Sequence, residues 1–395
     1  MKSRFDGRDP RLDFFRGLAL LVIYVAHIPK NPVAAHIPAR YGWSDAADMF
    51  VFMSGFAAAI AYGGTFLRAG WFLGTARVAF RCWQLYWAQI CLFMAIAGFS
   101  VWADQTFEQD YIGALNLYRF FEDTEQALLD MMLLSYVPNY FDILPMYMVI
   151  LAMVPLVMLL ARVHPLLPIC ASFILWLCNL IFEFELLADR SIDRPWFFNP
   201  FAWQFIFFTG YSLARGWIQV PIESRQIFWA AMTVIGLGAA MKTPWIYESH
   251  PWLEALSIAL FNMAGKTNYE PLRYLHFIAG AFVVVHLLLY REEILPKYFS
   301  WVMKCGQQSL AVFLFCMTLS RVSGVFLDQV GRSWESVLFV NAGGIVACCL
   351  LAYFMGWIKS QPWRRKAPVQ EATSIPASVS ADAVGRPATS SLLLR

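Results

Sequence analysis

The chain has 395 residues, of which 59% are hydrophobic and only 14% charged, and its mean hydropathy is +0.53. A soluble domain of this length needs far more charge to cover its surface, so the composition indicates an integral membrane protein. The net charge of +3 is too small, and the basic residues too scattered, for a nucleic-acid-binding surface.

In chain order, about ten apolar segments of roughly 16–23 residues follow one another, each long enough to cross a bilayer as a helix. They fall near Leu12–Ile28, Ala46–Tyr62, Val78–Trp102, Phe141–Ala161, Leu166–Phe182, Phe201–Ala214, Gln226–Met241, Leu272–Tyr290, Ser309–Leu327 and Val337–Ile358. Their continuous apolarity predicts an all-α polytopic fold; a barrel would alternate. Basic residues mark one side of this ten-span arrangement: Lys2, Arg4, Arg8 and Arg11; Arg68, Arg77 and Arg81; Arg162; Arg215 and Arg225; Arg291, Lys297 and Lys304; Lys359, Arg364, Arg365 and Lys366. By the positive-inside rule that side, with both termini, is cytoplasmic. The longest opposite connection, 103–140, holds seven acidic residues against Arg119 alone. The first segment resembles a cleaved signal peptide, but a second long apolar segment follows it, which favours a retained helix. Residues 1–366 read as the membrane domain. Residues 367–395, rich in Ala, Ser, Thr and Pro, read as a disordered cytoplasmic tail.

Eight cysteines form no CxxC pair and read as small apolar packers, and the six histidines show no HExxH spacing, so no metal site is expected. The informative residues are polar ones in apolar context, because a polar group in hydrocarbon is costly. In the first segment, LDFFRGLALLVIYVAH, Arg16 and His27 stand eleven residues apart, about 16 Å along a helix. His27, near the outer mouth, suits a general base; the alternative makes Arg16 a headgroup anchor and His27 an interface residue. Asp45 and Asp48 open the second segment at the level of His27, where a carboxylate orients an imidazole. Ser54-Gly55 lies deeper and reads either as close helix packing or as part of a polar channel. Arg77 and Arg81, one helical turn apart and followed by Gln84, suit phosphate binding from the cytoplasm or simple anchoring. Asp142, Asn199, Gln204, Arg273 and His276 bring further polar groups to the outer level from three other segments.

With these residues the chain resembles the OpgC family, membrane succinyltransferases that modify osmoregulated periplasmic glucans, within the acyltransferase-three superfamily. The superfamily features are Arg-x10-His (Arg16 to His27), the step Val51, Phe52, Ser54, Gly55, Phe56, and the arginines of the third segment. The narrower resemblance rests on SDAADMFVFMSGF, FDILPMYMVILAMVP, WFFNPFAWQFIFFTGYSLARG, and RYLHFIAG followed by QQSLAVFLFCMTLS, spread over about residues 9–358. The resemblance implies ten helices in a bacterial inner membrane, an acyl-CoA donor (succinyl-CoA or acetyl-CoA) and a periplasmic glucan or other glycan acceptor. It makes His27 the catalytic base and associates Arg16, Arg77 and Arg81 with the donor. Here the pair is spaced Arg-x3-Arg where many relatives show Arg-x2-Arg, so which arginine corresponds stays open. Asp48 as the partner of His27, and Arg273, His276 or Asn199 at the oxyanion, complete the expected site. O-acetylation of another polysaccharide or lipid-linked sugar, a transporter, and a membrane scaffold are the competing readings.

Overall fold

The computed structural model describes residues 9–288 and 294–364. Among them the fold is all-α apart from one short antiparallel pair, Leu187–Asp189 with Arg194–Pro195. The helices that position the site are α1 (Pro10–His27), α2 (Ala46–Ala58, continuing through one π turn to Gly63), α3 (Gly64–Phe107), α4 (Ile143–Ala152), α5 (Val154–Val163), α6 (Leu167–Phe182), α7 (Pro200–Ala214), α8 (Arg225–Lys242), α9 (Pro271–Leu288), α10 (Ser300–Gln307), α11 (Ser309–Val330) and α12 (Trp334–Lys359). Each of the ten apolar segments falls on one of these helices, α4 and α5 sharing one segment. Among the described residues, five stretches are long and apolar enough to cross a membrane: Ala46–Phe107, Ile143–Val163, Pro271–Leu288, Ser309–Val330 and Trp334–Lys359. α1 has 18 residues but carries Arg11, Asp13 and Arg16. Lys2, Arg4, Arg8, Arg291, Arg365, Lys366, Tyr290 and the predicted tail 367–395 lie outside the described residues.

Helix starts follow local chemistry. Asp9 caps α1 by accepting from the Arg11 amide (2.9 Å), with Pro10 at the first helical position, where its missing N–H costs nothing. Asn199 caps α7 in the same way, ahead of Pro200. Asp45 and Asp48 form a reciprocal capping box at α2. Within α3 the backbone breaks at Gly70 (φ 83°, ψ 176°), a conformation that only glycine adopts readily, so residues 64–69 and 71–107 run as two helices.

α1 lies at the centre, packed against α2, α10, α11 and α12. Lipid offers no hydrophobic drive between helices, so close approach depends on small residues and on satisfied polar pairs. Gly17 of α1 lies on the Val302 carbonyl of α10, and Gly306 of α10 lies on the Asp13 carbonyl of α1. A Cβ at either glycine would overlap backbone. Gly55 and Gly210 make the same reciprocal contact between α2 and α7, against the carbonyls of Phe207 and Phe52; for Gly55 the packing reading is therefore the right one. The fully buried Tyr24 ties α1 to α11 and α12: its hydroxyl donates to the Val340 carbonyl (3.0 Å) and meets Ser323 Oγ (2.9 Å). Asn31 and Asn341 pair their amides at 2.9 and 3.1 Å.

Gly17→Val should therefore force α1 and α10 apart and destabilise the bundle by about 1–3 kcal/mol, as overpacked cores do. Gly98→Ala in α3, where a Cβ meets nothing within 4 Å, serves as the control. Thermal unfolding in detergent should lower the midpoint of the first variant and leave the second near the parent.

Candidate active site

α1 delivers His27 from its last turn to one end of the bundle, half-buried. Its Nδ1 lies 2.8 Å from the Ile23 carbonyl oxygen. A carbonyl only accepts, so Nδ1 carries the proton, and in the neutral ring Nε2 presents its lone pair. Among the described residues, no hydrogen bond engages Nε2. The imidazole stands edge-to-face on Tyr140 at 5.2 Å between centroids. Tyr140 adopts φ 89°, unusual for a bulky residue, and is held there by its hydroxyl, which donates to the Met317 carbonyl (2.6 Å) and meets Ser320 Oγ (2.5 Å). Asp45, Lys266 and Arg321 are the charged groups that act on the imidazole.

The expected Asp48–His27 pairing is not what the fold builds. Asp48 is fully buried and accepts two bonds from Arg273, Nε to Oδ1 at 3.0 Å and Nη2 to Oδ2 at 2.6 Å, besides the Asp45 amide (2.6 Å). Arg273 also donates to the Trp43 carbonyl (2.9 Å) and meets Asp45 at 3.0 Å. The physical reason is charge: a guanidinium buried beside apolar runs takes the fork-shaped partner within reach, which leaves Asp48 nothing for His27. Asp45 is instead the carboxylate near the imidazole, shared between Arg273 and Lys266 (2.7 Å). Burial alone would raise the Asp45 carboxyl, but Lys266 and Arg273 hold it well below the usual carboxylate range.

The other outer-level candidates make their hydrogen bonds away from His27. Asn199 spends its amide on Asn179, Asn268 and the Phe184 carbonyl while its oxygen caps α7. Gln204 is joined to Ser172 through both side-chain atoms. Asp142 is buried before α4 and accepts from the Phe197 amide at 3.4 Å. His276 meets Ser44 Oγ through Nδ1 (2.8 Å), stands edge-to-face on Trp43 and is wedged against Gly42 and Gly238. None of these four is hydrogen-bonded to His27.

Toward the opposite end of α1 a second group assembles. Arg16 bonds to Ser309 Oγ, which joins α1 to α11. Arg77 donates to Thr65 Oγ1 (2.5 Å) and covers the Tyr62 ring at 6.0 Å, and Arg81 donates to Gln84 Oε1 (3.0 Å), so Gln84 steadies an arginine. Arg16 and Arg81 both act on the Tyr147 phenol, and Ser54 is its hydrogen-bonding neighbour. Arg77 and Arg81 both act on Tyr62. Ser54 lies beside this arginine–tyrosine cluster.

Sequence reasoning missed Tyr140, Tyr147, Lys266 and Arg321. Arg321 carried a usable signal, an arginine inside the apolar run Ser309–Leu327. The tyrosines did not, since aromatic rings are abundant along the whole chain.

Compared with known proteins, the chain matches a family model described as OpgC protein over residues 8–360, nearly its full length. No curated protein and no solved structure matches it significantly.

The buried pair makes a prediction of its own. Asp48→Asn strands Arg273 and should cost about 3–5 kcal/mol, whereas Asp48→Asn combined with Arg273→Met should recover a large part of the loss. A double-mutant cycle on unfolding midpoints in detergent measures the coupling.

Proposed function

We propose, on the premise that this chain belongs to the OpgC family, that it is a membrane acyltransferase that moves a succinyl group from cytoplasmic succinyl-CoA to hydroxyls of a glucan on the far side of the membrane. Membership suggests acyl transfer onto a glucan. The observation that supports the chemistry is the tautomer of His27, whose Nδ1–H is spent on the Ile23 carbonyl while Nε2 stays open. In this reading ten helices cross the bacterial inner membrane, both termini lie in the cytoplasm, and the Arg16–Arg81 end faces inward.

The donor enters from the arginine end. Arg77 and Arg81 hold its phosphates, with Gln84 fixing the Arg81 fork and Arg16 further in. Eleven residues separate Arg16 from His27, about 16 Å of helix, a distance suited to the extended pantetheine arm. His27 Nε2 removes the proton of a sugar hydroxyl as its oxygen attacks the thioester carbon. The carbon–sulfur bond then breaks, the coenzyme thiolate leaves and accepts the proton from the imidazolium, and the acyl group remains on the sugar. Lys266 opposes the transient imidazolium through space, and Asp45 offsets part of that opposition. Because Arg273 and Asn199 are committed elsewhere, they serve the frame of the site and not the oxyanion.

His27→Ala should reduce glycan acylation by about 100-fold or more while the protein still inserts and purifies normally. Retained acylation in such membranes would remove His27 from the mechanism. Arg81→Gln should raise the donor KM with a smaller change in kcat. Mass spectrometry of periplasmic glucans from cells with and without the gene distinguishes a succinyl shift from an acetyl shift, and no shift from either refutes the glucan acceptor.

A further inference from the structure

A cavity of about 270 Å³ opens at the His27 end between the chain after α1, the last turns of α3 and the outer half of α11. Pro29 and Lys30, two and three residues past His27, are in its wall, and Arg321 enters it from α11. Arg321 lies over the Tyr140 ring at 5.4 Å, and the His27 and Tyr140 rings meet edge-to-face at 5.2 Å, so the guanidinium and the imidazole share one phenol ring as neighbour. Arg321 also acts on the imidazole electrostatically.

Other arginines near the outer mouth have partners. Arg273 has Asp48 and Asp45, Arg119 has Asp130 and Asp189, and Arg332 has Asp328 at 2.6 Å. Arg321 is different: among the described residues no carboxylate forms a salt bridge with it and no group hydrogen-bonds it. Of the acids that share its cavity, Asp328 is salt-bridged to Arg332 and acts on Arg321 only through space, and Asp110 accepts from the Gly113 amide (2.6 Å). A guanidinium within an apolar helix, facing a cavity and with no direct salt bridge of its own, can take an anion from outside the protein. A carboxylate on the reacting acyl group would supply it. In a four-carbon dicarboxylic acyl group the free carboxylate lies two methylenes from the thioester carbonyl, so one end can face His27 while the other reaches past Tyr140.

We propose that Arg321 is the residue that reads the free carboxylate of the acyl group, with Tyr140 as the spacer that sets its distance from His27. This rests on the acyltransferase reading above and names the donor class that the site selects: dicarboxylic acyl thioesters over acetyl. Arg273, already neutralised by Asp48 and Asp45, is not available for this role.

The test uses the full-length protein in detergent or proteoliposomes, a purified glucan acceptor, and succinyl-CoA and acetyl-CoA in parallel. Arg321→Gln should lower the ratio of succinyl to acetyl transfer by about tenfold or more, mainly through the succinyl-CoA KM, and Arg321→Lys should recover part of it. Equal loss with both donors, which a structural role or an anionic acceptor would give, overturns the assignment, as does an unchanged ratio. A parent protein that transfers neither acyl group removes the acyltransferase reading together with this one. A parent that is active, with a ratio indifferent to Arg321, removes this one alone.

Discussion

A guanidinium cannot be left bare inside a bundle of apolar helices, and the placement of Arg273 organises everything at the His27 end. Its fork takes both oxygens of Asp48 and its remaining reach takes Asp45 and the Trp43 carbonyl. One residue of α9 thereby fixes the start of α2 and the chain that leads into it. The same commitment draws Lys266 toward Asp45 and so brings a salt-bridged pair, not a lone acid, beside the imidazole. The cost of desolvating these charges is offset only because each has a partner, which makes the cluster a rigid support.

The division of labour along α1 follows from this frame. At one end are the cationic and phenolic groups Arg16, Arg81, Arg77, Tyr62 and Tyr147; at the other are a half-buried imidazole, an aromatic spacer and an open cavity. Glycine contacts on two faces keep the helix backbones close enough for these groups to meet. The capping, packing and chemistry thus all depend on the same few turns of α1 and α2.

Much of the fold was legible because hydropathy reports helices directly: lipid forbids unsatisfied backbone, so an apolar run of sufficient length has few alternatives. The landmarks His27, Arg16 and Arg81 were legible for the same reason, as polar groups that stand out against hydrocarbon. Partnership was not. Asp48 lies at the predicted level yet bonds across to a helix more than two hundred residues away, and only the tertiary arrangement decides between Arg273 and His27 as its neighbour. α10 was missed because it is short and partly polar, although its Gly306 anchors α1. Tyr140 could not be singled out by type, since its distinguishing feature is a backbone angle rather than a residue identity.

The length of α3 has a bearing on how substrates arrive. From Arg81, at about 1.5 Å per residue, the helix has covered about 30 Å by Trp102, which is the thickness of a hydrocarbon core. If arginine marks one headgroup layer, the indole marks the other, as membrane-anchoring aromatics do. Phe99 and Ser100, one turn short of Trp102, and Gln109, Asp110, Tyr111 and Ala114, beyond it, are in the cavity wall. The cavity mouth then sits at the waterline, where in the proposed reaction a hydrophilic acceptor meets the site without dragging its own hydration shell into the lipid.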